Sequence, residues 1–254
     1  MRDHDNWGWR ARIGIFIVAS EPVPEAEWWA MAPDGVSIHA SRVAASAPWA
    51  TVTGAPNKVS LAADLQRGLE HFATMKLTSV VIAHSSSSML GGAGWDDAVI
   101  KSLKAQLPAE TAASTNGLDC IAELKRRDVK RPFLVFPAWF SEDLVQKGVA
   151  YFSASGLTPV AHLRVDPGPG WRDLAPAELY PAGAAFAQNV EALYTQVRES
   201  CPWQSDGVIF VGTGLRCFSI LQTLEADLDR PVISANAASL KAALQLARIG
   251  LRSR

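Results

Sequence analysis

The sequence predicts an α/β fold, parallel sheet flanked by helices, in two pseudo-symmetric lobes; three observations predict it. Apolar, β-branched runs bounded by turn residues recur at Ile13–Val18, Val36–His39, Val80–Ala83, Phe133–Phe136, Pro159–Leu163, Val208–Val211 and Val232–Ser234. A strand that is apolar throughout, rather than at alternate residues, is buried on both faces, as parallel strands under helices are. Segments with helical spacing separate these runs: Leu61–Met75, Asp97–Gln106, Leu118–Arg127, Ala177–Glu199 and Leu215–Leu228. The order is also doubled. Strand, helix, strand, long helix and a strand ending in a hydroxyl-rich turn run through residues 12–88, and a similar order runs through residues 132–215. This order assigns residues 1–115 with 232–254 to lobe 1 and residues 116–231 to lobe 2.

Composition narrows the function classes. The chain has 254 residues, 48% hydrophobic and 19% charged, enough apolar matter for a core and too much for disorder. Its formal net charge of -1 gives no general electrostatic reason to bind nucleic acid or an anionic membrane. No apolar run reaches the roughly 18–20 residues of a spanning helix. The first residues, Met-Arg-Asp-His-Asp-Asn-Trp, lack the apolar stretch of a signal peptide. Cys120, Cys201 and Cys217 form neither a disulfide framework nor a zinc-ligand spacing. The expected setting is therefore cytoplasmic.

Two strand-end turns carry the chemistry. Ser79-Val-Val-Ile-Ala-His84-Ser-Ser-Ser-Ser88 and Gly207-Val-Ile-Phe-Val-Gly212-Thr-Gly-Leu-Arg216 are apolar runs that stop abruptly at small and hydroxyl residues. Ligands of open α/β sheets bind beyond the carboxyl ends of strands. A third segment, Asp166-Pro-Gly-Pro-Gly-Trp-Arg-Asp173, is the strongest loop signal and reads as a surface crossover or a lid.

Read together, several segments resemble the aspartate/glutamate racemase superfamily, in its maleate isomerase and arylmalonate decarboxylase branch. They are Gly8-Trp-Arg-Ala-Arg-Ile-Gly14, Glu27-Trp-Trp29, Ala32-Pro-Asp-Gly-Val-Ser-Ile-His39, Ile82-Ala-His-Ser-Ser-Ser-Ser88, Gly212-Thr-Gly-Leu-Arg216 and Arg230-Pro-Val-Ile-Ser-Ala-Asn236. The resemblance implies an active site between the lobes, a small carboxylate substrate, no metal or organic cofactor, and a monomer or homodimer. It also implies two opposed cysteines, one per lobe, or the second alone. Here the first position is His84 and the second Gly212, so thiol chemistry by the usual route is not expected. The asparagine expected in the first loop falls at Glu21, within Ala19-Ser-Glu-Pro22, and the tyrosine expected after the fourth strand falls near Trp139.

Each candidate has a functional and a structural reading. His84 has the side chain whose ordinary pKa lies closest to neutral, so it is expected to move a proton; otherwise it is a strand-end residue bonded to backbone. Ser85, Ser86 and Ser88 could each donate a hydrogen bond to a carboxylate, and Ser20, Ser85 and Ser86 are expected to bind substrate, although serines also cap helices. Gly212, Thr213 and Gly214 are expected to supply N–H donors and a hydroxyl, with Gly212 leaving room where a thiol is absent; a tight turn alone also demands glycine. Glu21 is the second acid/base candidate, or a surface-loop carboxylate. With His84 it is also half of a weak metal-site reading that lacks a third ligand. Trp139 either covers an apolar substrate arm or packs in the core. Cys217 is expected to be buried and inert on the helix after the second turn. Thr111, Ser114 and Thr115 resemble the segment that enters the crossing between the lobes, and helix capping also explains them; His39, His71 and His162 read as structural.

The expected function is a cofactor-independent lyase or isomerase acting on a small carboxylate through an enolate-like state, with His84 as acid/base. The alternatives are a non-catalytic carboxylate-binding protein and a metal-dependent hydrolase or lyase using Glu21 and His84.

Overall fold

The computed structural model describes residues 6–54 and 58–248. Residues 1–5, on which the reading of a polar N-terminus largely rests, lie outside that range. The chain divides into two compact units, Met1–Asp119 with Asn236–Arg254, and Cys120–Ala235.

In chain order the first elements are β1 (Ala11–Val18), α1 (Val23–Met31), β2 (Val36–Val43), β3 (Ala50–Thr53), β4 (Lys58–Leu61), α2 (Ala63–Ala73), β5 (Ser79–Ile82), α3 (Ser85–Gly91), α4 (Trp95–Lys104), β6 (Ala112–Thr115) and α5 (Asn116–Arg126). There follow β7 (Pro132–Phe136), α6 (Glu142–Ala154), β8 (Ala161–Arg164), α7 (Pro176–Leu179), α8 (Val190–Ser200), β9 (Gly207–Phe210), α9 (Leu221–Leu228), β10 (Val232–Ser234) and α10 (Ala235–Leu246).

The first unit holds a four-stranded sheet in the order β2-β1-β5-β6, parallel throughout, with Gly14 opposite Val80 in the central pair. The second holds a four-stranded parallel sheet in the order β10-β9-β7-β8. Both sheets follow one rule: the chain steps from its first strand to a neighbour on one side, then crosses back to build the other side. The α/β fold with two parallel sheets flanked by helices is therefore present, and the doubling lies in the topology.

Side chains alternate across the first sheet and both faces are covered. Phe16, Val80 and Ile82 pack with Leu65, Leu69 and Phe72 of α2 on one face. On the other face Ile13, Ile15, Ile17 and Val81 pack with Trp28 of α1 and Leu240, Ala243 and Leu244 of α10. The buried positions of α2, Leu65, Gly68, Leu69 and Phe72, follow the i, i+3, i+4, i+7 rule of an amphipathic helix. Gly68 lets that helix close on the sheet: a Cβ there would lie 2.1 Å from Ser41 Oγ and 2.7 Å from Phe16 Cε1. Polar bonds fasten α10 to α1, since Asn236 Nδ2 donates to Glu27 Oε2 at 2.8 Å and Trp28 Nε1 donates to Asn236 Oδ1 at 3.3 Å. The second unit has its own core, in which Phe133, Val135, Val208 and Phe210 meet Leu193, Val197 and Leu224.

Several expectations are corrected. Ala177–Glu199 is not one helix: α7 ends at Leu179 and α8 begins at Val190, with Pro181 between them and the Asn189 side chain accepting from the Ala192 N–H at 3.0 Å as a new N-cap. The stretch expected to be helical from Leu215 becomes a 3-10 turn at Phe218–Ile220 and a helix only at Leu221. Leu215 and Cys217 are buried while Arg216 is exposed, a period of two that a helix does not give. Cys217 is thus buried as expected, but ahead of the helix. Thr111, Ser114 and Thr115 belong to β6 or its approach rather than to caps. The antiparallel hairpin β3–β4 was not expected.

Candidate functional site

In each sheet the chain reverses direction of growth at the central pair, β1/β5 in the first unit and β7/β9 in the second. A topological switch point opens a crevice at the carboxyl ends of such a pair, because the two outgoing connections leave toward opposite sides. In the first unit the residues there are Ser20 and Glu21 after β1 and His84–Ser88 after β5. In the second they are Trp139 after β7 and Gly212–Gly214 after β9. Topology thus places every predicted site residue at a strand end on one of these two pairs.

The β5 turn is tightly wired. The His84 imidazole stacks on Trp49, with ring centroids 4.0 Å apart and an interplanar angle of 20°. Its Nδ1 lies 2.9 Å from Ser87 Oγ, which accepts the Trp49 backbone N–H at 3.0 Å. Ser87 is fully buried, so its hydroxyl hydrogen needs an acceptor, and Nδ1 is the one it has. That assignment puts the ring hydrogen on Nε2. Burial lowers the pKa of His84 from 6.5 to about 3. The near-neutral titration expected of His84 is therefore corrected: the imidazole is neutral at working pH and presents an N–H rather than a mobile proton.

The four serines of α3 divide into three that are committed and one that is open. Ser85 donates to Asn116 Oδ1 at 2.5 Å, Ser87 is bonded as above, and Ser88 donates to Asp96 Oδ1 at 2.7 Å. Ser86 is 8% exposed, and its hydroxyl has no hydrogen-bond partner among the described residues. Beyond Ser85 the bonds continue: Asn116 Nδ2 donates to Ser239 Oγ at 2.8 Å, and Ser239 donates to Asp119 Oδ2 at 2.7 Å. Ser114 donates to the same carboxyl oxygen at 3.1 Å. Burial raises the Asp119 pKa to about 8 against the two serine hydrogen bonds, with Asp96 adding a small push in the same direction.

At the end of β1, Ser20 is exposed and Glu21 buried, at 4% exposure. The surface-loop reading of Glu21 thus fails. Arg42 braces this turn by donating to the carbonyls of Ala19 at 2.9 Å and Glu21 at 3.2 Å, and it pairs with the Glu25 carboxylate.

In the second unit Gly212 has φ +104°, and a Cβ would lie 2.8 Å from Pro137 Cγ. Glycine is there because the turn needs it, and Pro137 fills the direction in which extra room was expected. Thr213 and Gly214 are buried, and the Gly214 carbonyl accepts from Gln188 Nε2 at 2.8 Å. Beside this turn lies a cavity of about 310 Å3 walled by Trp139, Pro167, Trp171, Leu193 and Leu215. Trp139 is half-buried and meets Tyr180 edge-on, with centroids 5.5 Å apart. The Asp166–Asp173 segment forms part of the wall, clasped by Arg172 Nε donating to Asp166 Oδ1 and Oδ2 at 3.0 and 2.9 Å.

Sequence reasoning missed Trp49, Ser87, Asn116, Asp119 and Ser239. Ser114 and Ser239 share Asp119 as their acceptor, but while Ser114 stands five residues from it, Ser239 lies 120 residues away. No local signal links them. Among the described residues no group of three or more His, Cys, Asp or Glu side chains is placed to hold a metal ion, and no helix is long and apolar enough to cross a membrane.

Two parallel-sheet units of the same strand order define the class of fold, and solved structures share it. A maleate isomerase from Pseudomonas putida S16, solved in variant form with maleate, matches at a TM-score of 0.77 and 18% identity, over 95% of this chain and 94% of its own. A maleate cis-trans isomerase from Nocardia farcinica, bound to TRIS, matches at 0.73 and 20%, over 94% and 93%. An arylmalonate decarboxylase variant in a sulfate-associated form matches at 0.72 and 18%, over 96% of each chain. No family model and no curated sequence matches the chain. At such identities the likeness is one of fold.

Proposed function

We propose that this protein binds a small carboxylate at its strand-end turns and acts on it, without metal or organic cofactor, as an isomerase or decarboxylase passing through an enolate-like state. One observation carries the reading. At the switch point of the first sheet, two hydrogen-bond donors, the Ser86 hydroxyl and the His84 Nε2–H, have no partner among the described residues, while the hydroxyls of Ser85, Ser87 and Ser88 beside them are bonded. Uncommitted donors at a strand end suit an anion, and preorganised donors stabilise charge as it develops. Structures of like fold lend support, since one was solved with maleate and others are arylmalonate decarboxylases.

With its pKa near 3, His84 serves here as a neutral donor to an enolate-like oxygen rather than as the acid/base. The proton falls to Glu21, a buried carboxyl at the end of the adjacent strand. Ser20 and Ser85 flank the carboxylate from β1 and α3. In the second unit the corresponding strand-end donors are Thr213 and the N–H groups of Gly212 and Gly214, and Trp139 lines the cavity beside them. Positions 84 and 212 stand where the resemblance puts thiols, so the chemistry proceeds without a cysteine.

The test is calorimetric titration of wild type and Ser86→Ala with maleate, malonate and phenylmalonate, followed by NMR of any compound that binds. Loss of a hydrogen bond to a charged group predicts binding at least about tenfold weaker in the variant. Equal affinity of the two proteins, or binding by neither, overturns the reading. The low basicity of His84 favours one second reading, a carboxylate-binding protein without turnover; binding with no chemical change in the NMR spectrum selects it.

A further inference from the structure

The bonds behind Ser85 have a direction. A chain of donors runs Ser85 to Asn116 to Ser239 to Asp119, each link 2.5–2.8 Å long and each member buried. Its sense is fixed from the far end. A carboxylate only accepts, so Ser239 must donate to it; Ser239 then accepts from the Asn116 amide N–H, which turns the amide oxygen toward Ser85. The Ser85 hydrogen is thereby committed inward, and a lone pair is what Ser85 shows to the β5 turn. If Asp119 carries a proton on Oδ2, the logic reverses: Asp119 donates to Ser239, Ser239 to the amide oxygen, the amide N–H to Ser85, and the Ser85 hydrogen is released.

We propose that Asp119 is a positioning residue whose protonation state sets, through Ser239 and Asn116, whether Ser85 offers a hydrogen or a lone pair to an anion at the β5 turn. The effect on ligand rests on the proposed carboxylate site; the coupling from Asp119 to Asn116 does not. The groups facing Asp119 are the hydroxyls of Ser114 on β6 and Ser239 on α10, and among the described residues Asp96 on α4 is the charge that acts on it. Burial moves its titration into the range above neutrality, where such a switch is accessible.

The first measurement needs no ligand. In 15N-edited NMR spectra the Asn116 side-chain amide is expected to shift across pH 6–9 in wild type and to stay fixed in Asp119→Asn and in Ser239→Ala, which breaks the chain at its middle and leaves the carboxyl in place. An Asn116 amide that ignores pH, or that titrates equally in both variants, overturns the proposal. The second measurement is malonate affinity over the same range. Wild type is expected to bind several-fold more weakly above the titration, with the step absent in Asp119→Asn and in Ser85→Ala. A step that persists in either variant also overturns it. An amide that titrates as expected in a protein that binds no carboxylate at any pH supports the coupling and rejects the proposed function instead.

Discussion

His84 shows how a residue type misleads when its surroundings are unknown. Its place at a strand end was legible; the stacked indole of Trp49, thirty-five positions earlier, was not, and burial there removes the charge that made histidine attractive. The stability consequence has a definite sign. Unfolded, the ring takes a proton near pH 6.5; folded, only near 3, so the unfolded chain binds more protons between those values and stability falls as pH drops through that window. Wild type is expected to lose stability relative to His84→Gln from about pH 6.5 to pH 3, measured by urea unfolding. Asp119 works the other way. Its pKa is raised from 3.8 to about 8, so its contribution is complete below 3.8 and lost as pH rises toward 8; Asp119→Asn is expected to flatten that alkaline limb. At Gly212 a positive φ and the nearby Pro137 predict that Gly212→Ala destabilises by about 1–3 kcal/mol, read as a lower urea midpoint.

At the scale of elements, β1, β5, β7 and β9 were legible because a strand buried on both faces leaves an unbroken apolar run. α2 was legible from its 3.6-residue stripe. The short pieces were not. β6, Ala112-Ala-Ser-Thr115, carries small and hydroxyl residues that read equally as a cap, and only its pairing with Ser79–Ile82 makes it a strand. The hairpin β3–β4 is half exposed and lacks a run of apolar residues to announce it. Packing of α2 on the sheet depends on the missing side chain at Gly68, so Gly68→Ala is expected to cost about 1–3 kcal/mol by overpacking against Ser41 and Phe16, seen as a lower melting temperature. The Asp166–Arg172 clasp is exposed, and exposed ion pairs contribute little. Arg172→Ala is therefore expected to leave the melting temperature unchanged, because the clasp shapes the cavity wall rather than holding the fold.

Over the whole molecule, the doubled order of elements was legible from the spacing of apolar runs, and it corresponds to one strand order used twice. Chain order also pointed to the strand-end turns, because a switch point follows from connectivity alone. What stayed hidden was the wiring behind the turns: Ser239 and Asn116 meet only because α10 returns to the first unit after the second is complete. In the proposed function, donors held at strand ends bind the carboxylate and Glu21 carries the proton, with no thiol or metal required. The most direct test is a 1H NMR assay of wild type and Glu21→Gln with maleate, malonate and phenylmalonate, at concentrations that saturate binding. Conversion of one of them by wild type, with binding kept and conversion lost in Glu21→Gln, is the result predicted. Full activity in Glu21→Gln, or no binding of any carboxylate by wild type, would contradict it.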